Sequence, residues 1–166
     1  VIAHTPYRLW DIFRQQNLQI LTSHADYTGD DLGEEWVVFL RKNLPLSRAM
    51  ISRALDMIRV ASLLKTNQTK LAVLSYRHAR LLFVGVPPFD QFSPLRLEVL
   101  IDNGKYLLVA RPSLPLQHGF MITAALMKDA EKLQLVNPTK GKFGMAVHAG
   151  SKAFFNGEQI EIPKKL

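Results

Sequence analysis

The sequence predicts a single α+β domain, residues 1–166, with a helical part over about 5–66 and a sheet-rich part over about 70–162. Three observations carry that expectation. Apolar residues recur at three- and four-residue spacing as far as Leu64. From Lys70 the period shortens and short β-type runs follow one another. Asn103-Gly104 then stands between two such runs, and Asn-Gly is the strongest short hairpin signal because both residues tolerate positive φ.

Thr5-Pro6 is a helix start, with Thr as cap and Pro in the first turn. Leu9, Trp10, Ile12 and Phe13 follow, and the helix is expected to run on through Leu18 and Leu21. His24 to Gly33 is polar and acidic and reads as a loop. Glu34 to Asn43 is a short helix with acids first and Arg41-Lys42 last, as the macrodipole prefers. Leu44-Pro45-Leu46 breaks the pattern. Ser47 to Lys65 is then expected to be the longest amphipathic helix, with Ile51, Leu55 and Ile58 as its stripe.

Leu71–Leu74 and Leu81–Val84 read as β-type runs that could pair around Tyr76-Arg77-His78, although the first could also continue as helix. Past Pro87-Pro88, the runs Leu95–Ile101 and Tyr106–Ala110 bracket Asn103-Gly104. Thr123 to Leu133 reads as one further helix. Met145–Val147 and Ala153–Phe155 are strand-like, and Asn156-Gly157 is a second hairpin signal before Gln159–Ile162. No internal repeat or low-complexity segment interrupts the chain.

A hydrophobic content of 48% is too high for a disordered chain. No apolar run reaches membrane-spanning length, so no membrane partner is expected. The N-terminus lacks the pattern of a signal peptide, and a start without Met suggests an excised fragment. The absence of Cys removes disulfides and thiolate metal sites. Lys plus Arg number 21 against 14 acids, a net charge of +7, which suits nucleic acid or acidic protein as a partner.

The search for chemistry returns little. His4, His24, His78, His118 and His148 share no metal-ligand spacing, so neither metal nor cofactor is expected. Lys140-Gly141-Lys142-Phe143-Gly144 lacks the spacing and hydroxyl of a phosphate loop. Asp90 with Glu98-Val99-Leu100 has Leu where a nuclease would place Lys. No Gly-x-Ser-x-Gly elbow occurs, and the chain is expected to be non-catalytic. What remains is a binding surface. Arg48, Arg53, Arg59, Arg96, Lys105, Lys140 and Lys142 are candidate RNA or partner contacts, with Arg77 and Arg80 nearby. Phe89 and Phe92 beside Pro88 suggest either a contact point or aromatics tucked against the sheet.

The run Leu82-Phe83-Val84-Gly85-Val86-Pro87-Pro88 resembles the C-terminal host-adaptation domain of the polymerase basic protein 2 of orthomyxoviruses. Thr5–Trp10, Ser47–Leu64 with Ile58-Arg59, the unit Leu95–Arg111 and the close at Gly150–Ile162 match that family in order and spacing, in the manner of a remote, thogotovirus-like genus. The resemblance implies a helical cluster whose long helix is wrapped by a curved antiparallel sheet. It also implies a non-catalytic module of a viral RNA-dependent RNA polymerase, working in the host nucleus and carried in the virion. The partners it implies are the other polymerase subunits, viral RNA, nucleoprotein and an acidic leucine-rich nuclear host protein. The host-adaptation loop maps to Pro87, Pro88, Phe89 and Asp90, with Phe89 where the family carries charge. The residues by themselves admit a winged-helix DNA-binding domain, with Glu34–Asn43 and Ser47–Lys65 as helix-turn-helix and Lys70–Val84 as wing.

Overall fold

The computed structural model describes residues 17–138 and 141–161. Its described residues form six helices and one open five-stranded mixed sheet. In chain order these are β1 (Gln19–Ser23), α1 (Tyr27–Asn43), β2 (Met50–Ala54), α2 (Met57–Lys65), β3 (Leu71–Ser75), α3 (Tyr76–Val84), β4 (Glu98–Asp102), β5 (Tyr106–Ala110), α4 (Leu116–Met127), α5 (Ala130–Leu133) and α6 (Ala149–Phe155). Two short 3-10 turns lie at Pro45–Ser47 and Asp90–Phe92.

The strand order is β2-β1-β3-β5-β4. β2 and β3 pair with β1 in parallel, whereas β5 pairs antiparallel with both β3 and β4. Alternate residues of each strand feed two separate cores. Ile20, Leu71, Val73, Leu108 and Ala110 pack with Trp36, Val37 and Leu40 of α1 and Met121, Ile122 and Ala125 of α4. Leu21, Ala72, Leu74, Leu107 and Val109 pack with Val60, Ala61 and Leu64 of α2 and Ala79 and Leu82 of α3. The result is three layers, helices over both faces of the sheet, which is why β3 reads as an unbroken apolar run. β4 carries a bulge: Val99 stands opposite Val109 but Ile101 opposite Leu108, so Leu100 and Ile101 both join the α1–α4 core while Val99 joins the other.

The α1 crossover runs over one face and the α2 crossover runs back over the other, so the two share one hand. β1 therefore lies between two strands reached in opposite directions.

Several sequence expectations are corrected. Leu18 and Leu21 are not helical, because Leu18 leads into strand β1 and Leu21 lies in it; the Thr5-Pro6 helix start lies outside the described residues. Ser47 to Lys65 is not one long helix but a 3-10 turn, the strand β2 and the nine-residue α2. Leu55, assigned to its apolar stripe, is 76% exposed in the loop after β2. The helix-turn-helix of the winged-helix reading falls with it, because strand β2 stands between α1 and the shortened α2. Leu81–Val84 ends α3 rather than forming a hairpin strand, and α1 begins at Tyr27, inside the expected loop. The expected single helix Thr123–Leu133 is two: α4 runs from Leu116 to Met127, with the Thr123 hydroxyl donating to the Gly119 carbonyl inside it, and Ala130–Leu133 is the separate α5. Ala153–Phe155 is helical, and Asn156-Gly157 closes that helix, Gly157 at φ +69°, instead of turning a hairpin. The sheet is mixed, and helices and strands alternate through Val84 in place of a helical half followed by a sheet.

Candidate ligand crevice at the carboxyl edge

Three parallel strands end at the same edge of the sheet, and each runs into a helix whose first turn faces that edge. β1 leads through Ser23-His24-Ala25-Asp26 into α1. β2 leads through Leu55-Asp56 into α2, and β3 passes directly from Ser75 to Tyr76 of α3. Each helix is capped by its own loop: Asp26 accepts from the Gly29 amide at 3.0 Å, Asp56 from Arg59 at 2.8 Å, and Ser75 from His78 at 3.2 Å. The β4–β5 hairpin adds Asp102 to Tyr106 to the same edge.

Between β1 and β3 the chain leaves in opposite directions, α1 toward one face and α3 toward the other. In open α/β sheets such a divergence is the usual place for a ligand crevice beyond the strand ends. The elements around it are tied to one another by hydrogen bonds. The Tyr106 hydroxyl donates to Asp26 at 2.9 Å, and the Tyr76 hydroxyl donates to Asp102 at 2.5 Å. Asp102 also accepts from the Gly104 amide at 2.7 Å. Gly29 is needed here, because a Cβ would stand 2.7 Å from Asp26 Oδ2 and 3.0 Å from the Tyr106 ring.

Asp102 Oδ1 and Asp26 Oδ1 thus accept internal donors, whereas Asp26 Oδ2 is buried without a hydrogen-bond partner among the described residues. Lys105 is exposed on the hairpin, His24 is exposed after β1, and Lys142 lies 5.1 Å over the Tyr76 ring. A shallow depression of about 430 Å³ beside Tyr76 and Asp102 is bordered by Gly104, Asn137 and Lys142. Burial pushes the Tyr106 hydroxyl up to about 12, helped by the hydrogen bond and charge of Asp26. Tyr76 is raised further, by burial first and then by Asp102. His78 is held below the usual imidazole range by burial, which with Arg77 outweighs the opposing charge of Asp26. Its Nδ1 lies 3.1 Å from Ser75 Oγ, but that oxygen is also the helix cap, so the pair reads as a capping turn. Among the described residues, no cluster of three or more His, Asp or Glu is placed to hold a metal ion, and no helix is long and apolar enough to cross a membrane.

The residues singled out from sequence are scattered over this frame. Arg53, Arg59, Lys105 and Lys142 lie toward the carboxyl edge. Arg48 and Arg96 precede β2 and β4 and so lie at the opposite end of the sheet, about 16 Å away for five-residue strands. Arg53 is also occupied, pairing with Asp30 at 2.9 Å and with Glu34, both on α1. Burial pulls the Asp30 carboxyl up, but hydrogen bonds from Thr22 and Arg53 outweigh it and hold it below the usual range. Lys140 lies outside the described residues. In the expected host-adaptation loop, Pro87, Pro88 and Asp90 are exposed, but Phe89 is only 4% exposed and belongs to the α2–α3 core. The contact-point reading of Phe89 is corrected accordingly.

Sequence reasoning missed Asp26, Ser75, Tyr76, Asp102 and Tyr106. The available signal was the recurrence of a buried apolar strand ending in a short polar group able to cap a helix, as in LTSHAD and AVLSYRH. Compared with protein-family models, curated proteins and solved structures, the chain matches none.

Proposed function

We propose that this chain is a ligand-binding α/β module that takes a small anionic solute in the crevice between β1 and β3. The observation that supports this reading is the divergence of α1 and α3 from adjacent parallel strands, the place where open α/β sheets hold their ligands. Charge selects the ligand's sign. Two helix N-termini face the crevice, one oxygen each of Asp26 and Asp102 already serves Tyr106, Tyr76, Gly29 and Gly104, and Lys105 and Lys142 supply positive charge beside the imidazole of His24. The role is binding, with no reaction assigned.

Thermal unfolding against a panel of phosphate, citrate and dicarboxylic acids tests this. A ligand at a hundred times its Kd stabilises the native state by about 2.7 kcal/mol, which raises Tm by roughly 5–10 °C in a chain of this size. Lys105→Gln with His24→Ala should abolish the shift. The reading is lost if no anion in the panel shifts Tm at millimolar concentration.

A second reading, the non-catalytic polymerase module bound to viral RNA, nucleoprotein and a nuclear host protein, draws its support from the net charge of +7. It requires RNA binding that weakens steeply between about 50 and 200 mM salt. Fluorescence anisotropy with a labelled single-stranded RNA separates the two, since the crevice reading expects no saturable RNA binding even at about 50 mM salt.

A further inference from the structure

We propose a second binding site, distinct from the crevice, in the groove between α3 and the Phe143 turn, and that its ligand is an organic anion with an apolar body. The groove has a volume of about 530 Å³, within the range of about 300–1,000 Å³ usual for small-molecule sites. Its length is set by α3. Tyr76 and Val84 both border it, eight residues apart, which is about 12 Å along the helix.

Two chemistries meet along that length. Arg77 and Arg80 stand one turn apart on the same side of α3, and both are exposed. Neither is in an ion pair among the described residues, and none of the described residues lining the groove is a carboxylate. The remaining wall is apolar: Leu81 is half-buried, Val84 is 55% exposed and Phe143 is 39% exposed. Phe143 is held edge-on against the Tyr76 ring at 5.7 Å, so the wall is a fixed surface.

Charge complementarity and apolar area together select the occupant. Inorganic phosphate would engage the guanidinium groups and leave Val84 and Phe143 in water. A neutral hydrocarbon would cover the apolar wall and leave both arginines without a partner. A medium-chain or aryl carboxylate uses both, its carboxylate bidentate on arginine and its body along Leu81, Val84 and Phe143. The site shares Tyr76 with the crevice wall, but its charge comes from Arg77 and Arg80, which the crevice does not use.

Isothermal titration of the full chain with decanoate, below its micelle concentration, tests the assignment. Saturable binding of one decanoate is expected, with acetate and decanol each at least tenfold weaker. Arg77→Gln combined with Arg80→Gln should weaken decanoate at least tenfold without changing Tm, since both side chains are exposed. Val84→Asp should weaken it similarly, and Lys105→Gln in the crevice should leave it unchanged. The proposal is overturned if wild-type protein shows no saturable binding, or if the double arginine variant binds as well as wild type. It also falls if Lys105→Gln weakens decanoate as much as the arginine changes do, because the anion would then sit in the crevice.

Discussion

The Tyr76 hydroxyl meets the Asp102 carboxylate at 2.5 Å and so joins the first residue of α3 to the last residue of β4. β5 lies between the two elements in the sheet, and the bond closes over its start. Asp102 is 1% exposed, and this hydroxyl and the Gly104 amide are the donors that compensate its burial. Removing the hydroxyl strands part of a buried carboxylate, which costs about 1–3 kcal/mol. Tyr76→Phe is therefore expected to lower the unfolding free energy from urea titration by that amount, seen as a lower midpoint at unchanged slope. Asp102→Ala should cost more, because the hairpin turn loses its anchor as well. Equal stability of wild type and Tyr76→Phe would show that the bond contributes nothing.

The same tyrosines set an alkaline limit. Burial raises Tyr76 and Tyr106 above the ordinary value of 10.0, and Asp102 and Asp26 add to it through hydrogen bonds and charge. The folded state keeps phenolic protons that the unfolded chain releases. Their contribution is full below pH 10 and is lost as pH rises through the folded values, for Tyr106 at about 12. Urea midpoints measured across that window should fall, and Tyr106→Phe should flatten the fall. A midpoint that stays level through pH 12 in wild type would contradict the shifts.

Phe89 tests the loop after α3. It packs in the core formed with Leu64, Leu82 and Leu95, so Phe89→Ala should cost about 3–5 kcal/mol. Chemical denaturation reads this directly. A folded variant with unchanged stability would place the ring in solvent and restore the contact-point reading.

Legibility from sequence followed how local each signal was. The β4–β5 hairpin was legible because Asn103-Gly104 dictates its own turn: the Asn103 side chain accepts from the Lys105 and Tyr106 amides. The helix around Trp36 and Leu40 was legible from its period and charge order, though its start was hidden in the polar run after Asp26. β2 was not legible. Ile51, Leu55 and Ile58 fall at helical spacing, yet Ile51 sits on an edge strand, Leu55 in a loop and Ile58 on α2. An edge strand is only half-buried and lacks a clean alternation, so chance periodicity across the β2–α2 junction imitated one long helix. The crevice was out of reach for a different reason. Asp26 and Tyr106 are 80 residues apart in sequence and meet only through the parallel β1–β3 and antiparallel β3–β5 pairings, which no local pattern encodes.

Gly150 makes the sharpest test of the outer layer, where α6 lies against α4. A Cβ there would stand 2.3 Å from the Phe120 amide nitrogen and 2.4 Å from the Leu116 carbonyl oxygen, both backbone atoms that cannot rotate away. The close approach is held by buried polar contacts. Gly150 donates its amide to His148 Nδ1 at 3.0 Å, which leaves Nε2 to donate to the Leu114 carbonyl at 2.9 Å, and Ser151 Oγ donates to the Leu100 carbonyl at 3.0 Å. Gly150→Ala must push the two helices apart and loosen these bonds, for an expected cost of about 3 kcal/mol. Gly157→Ala supplies the comparison. Its site is open, with nothing within 4 Å of a new Cβ, so only its φ of +69° opposes the change, at about 1–2 kcal/mol. Thermal and urea unfolding of the two variants should therefore rank Gly150→Ala well below Gly157→Ala, and the reverse order would mean that α6 does not pack against α4 at this distance.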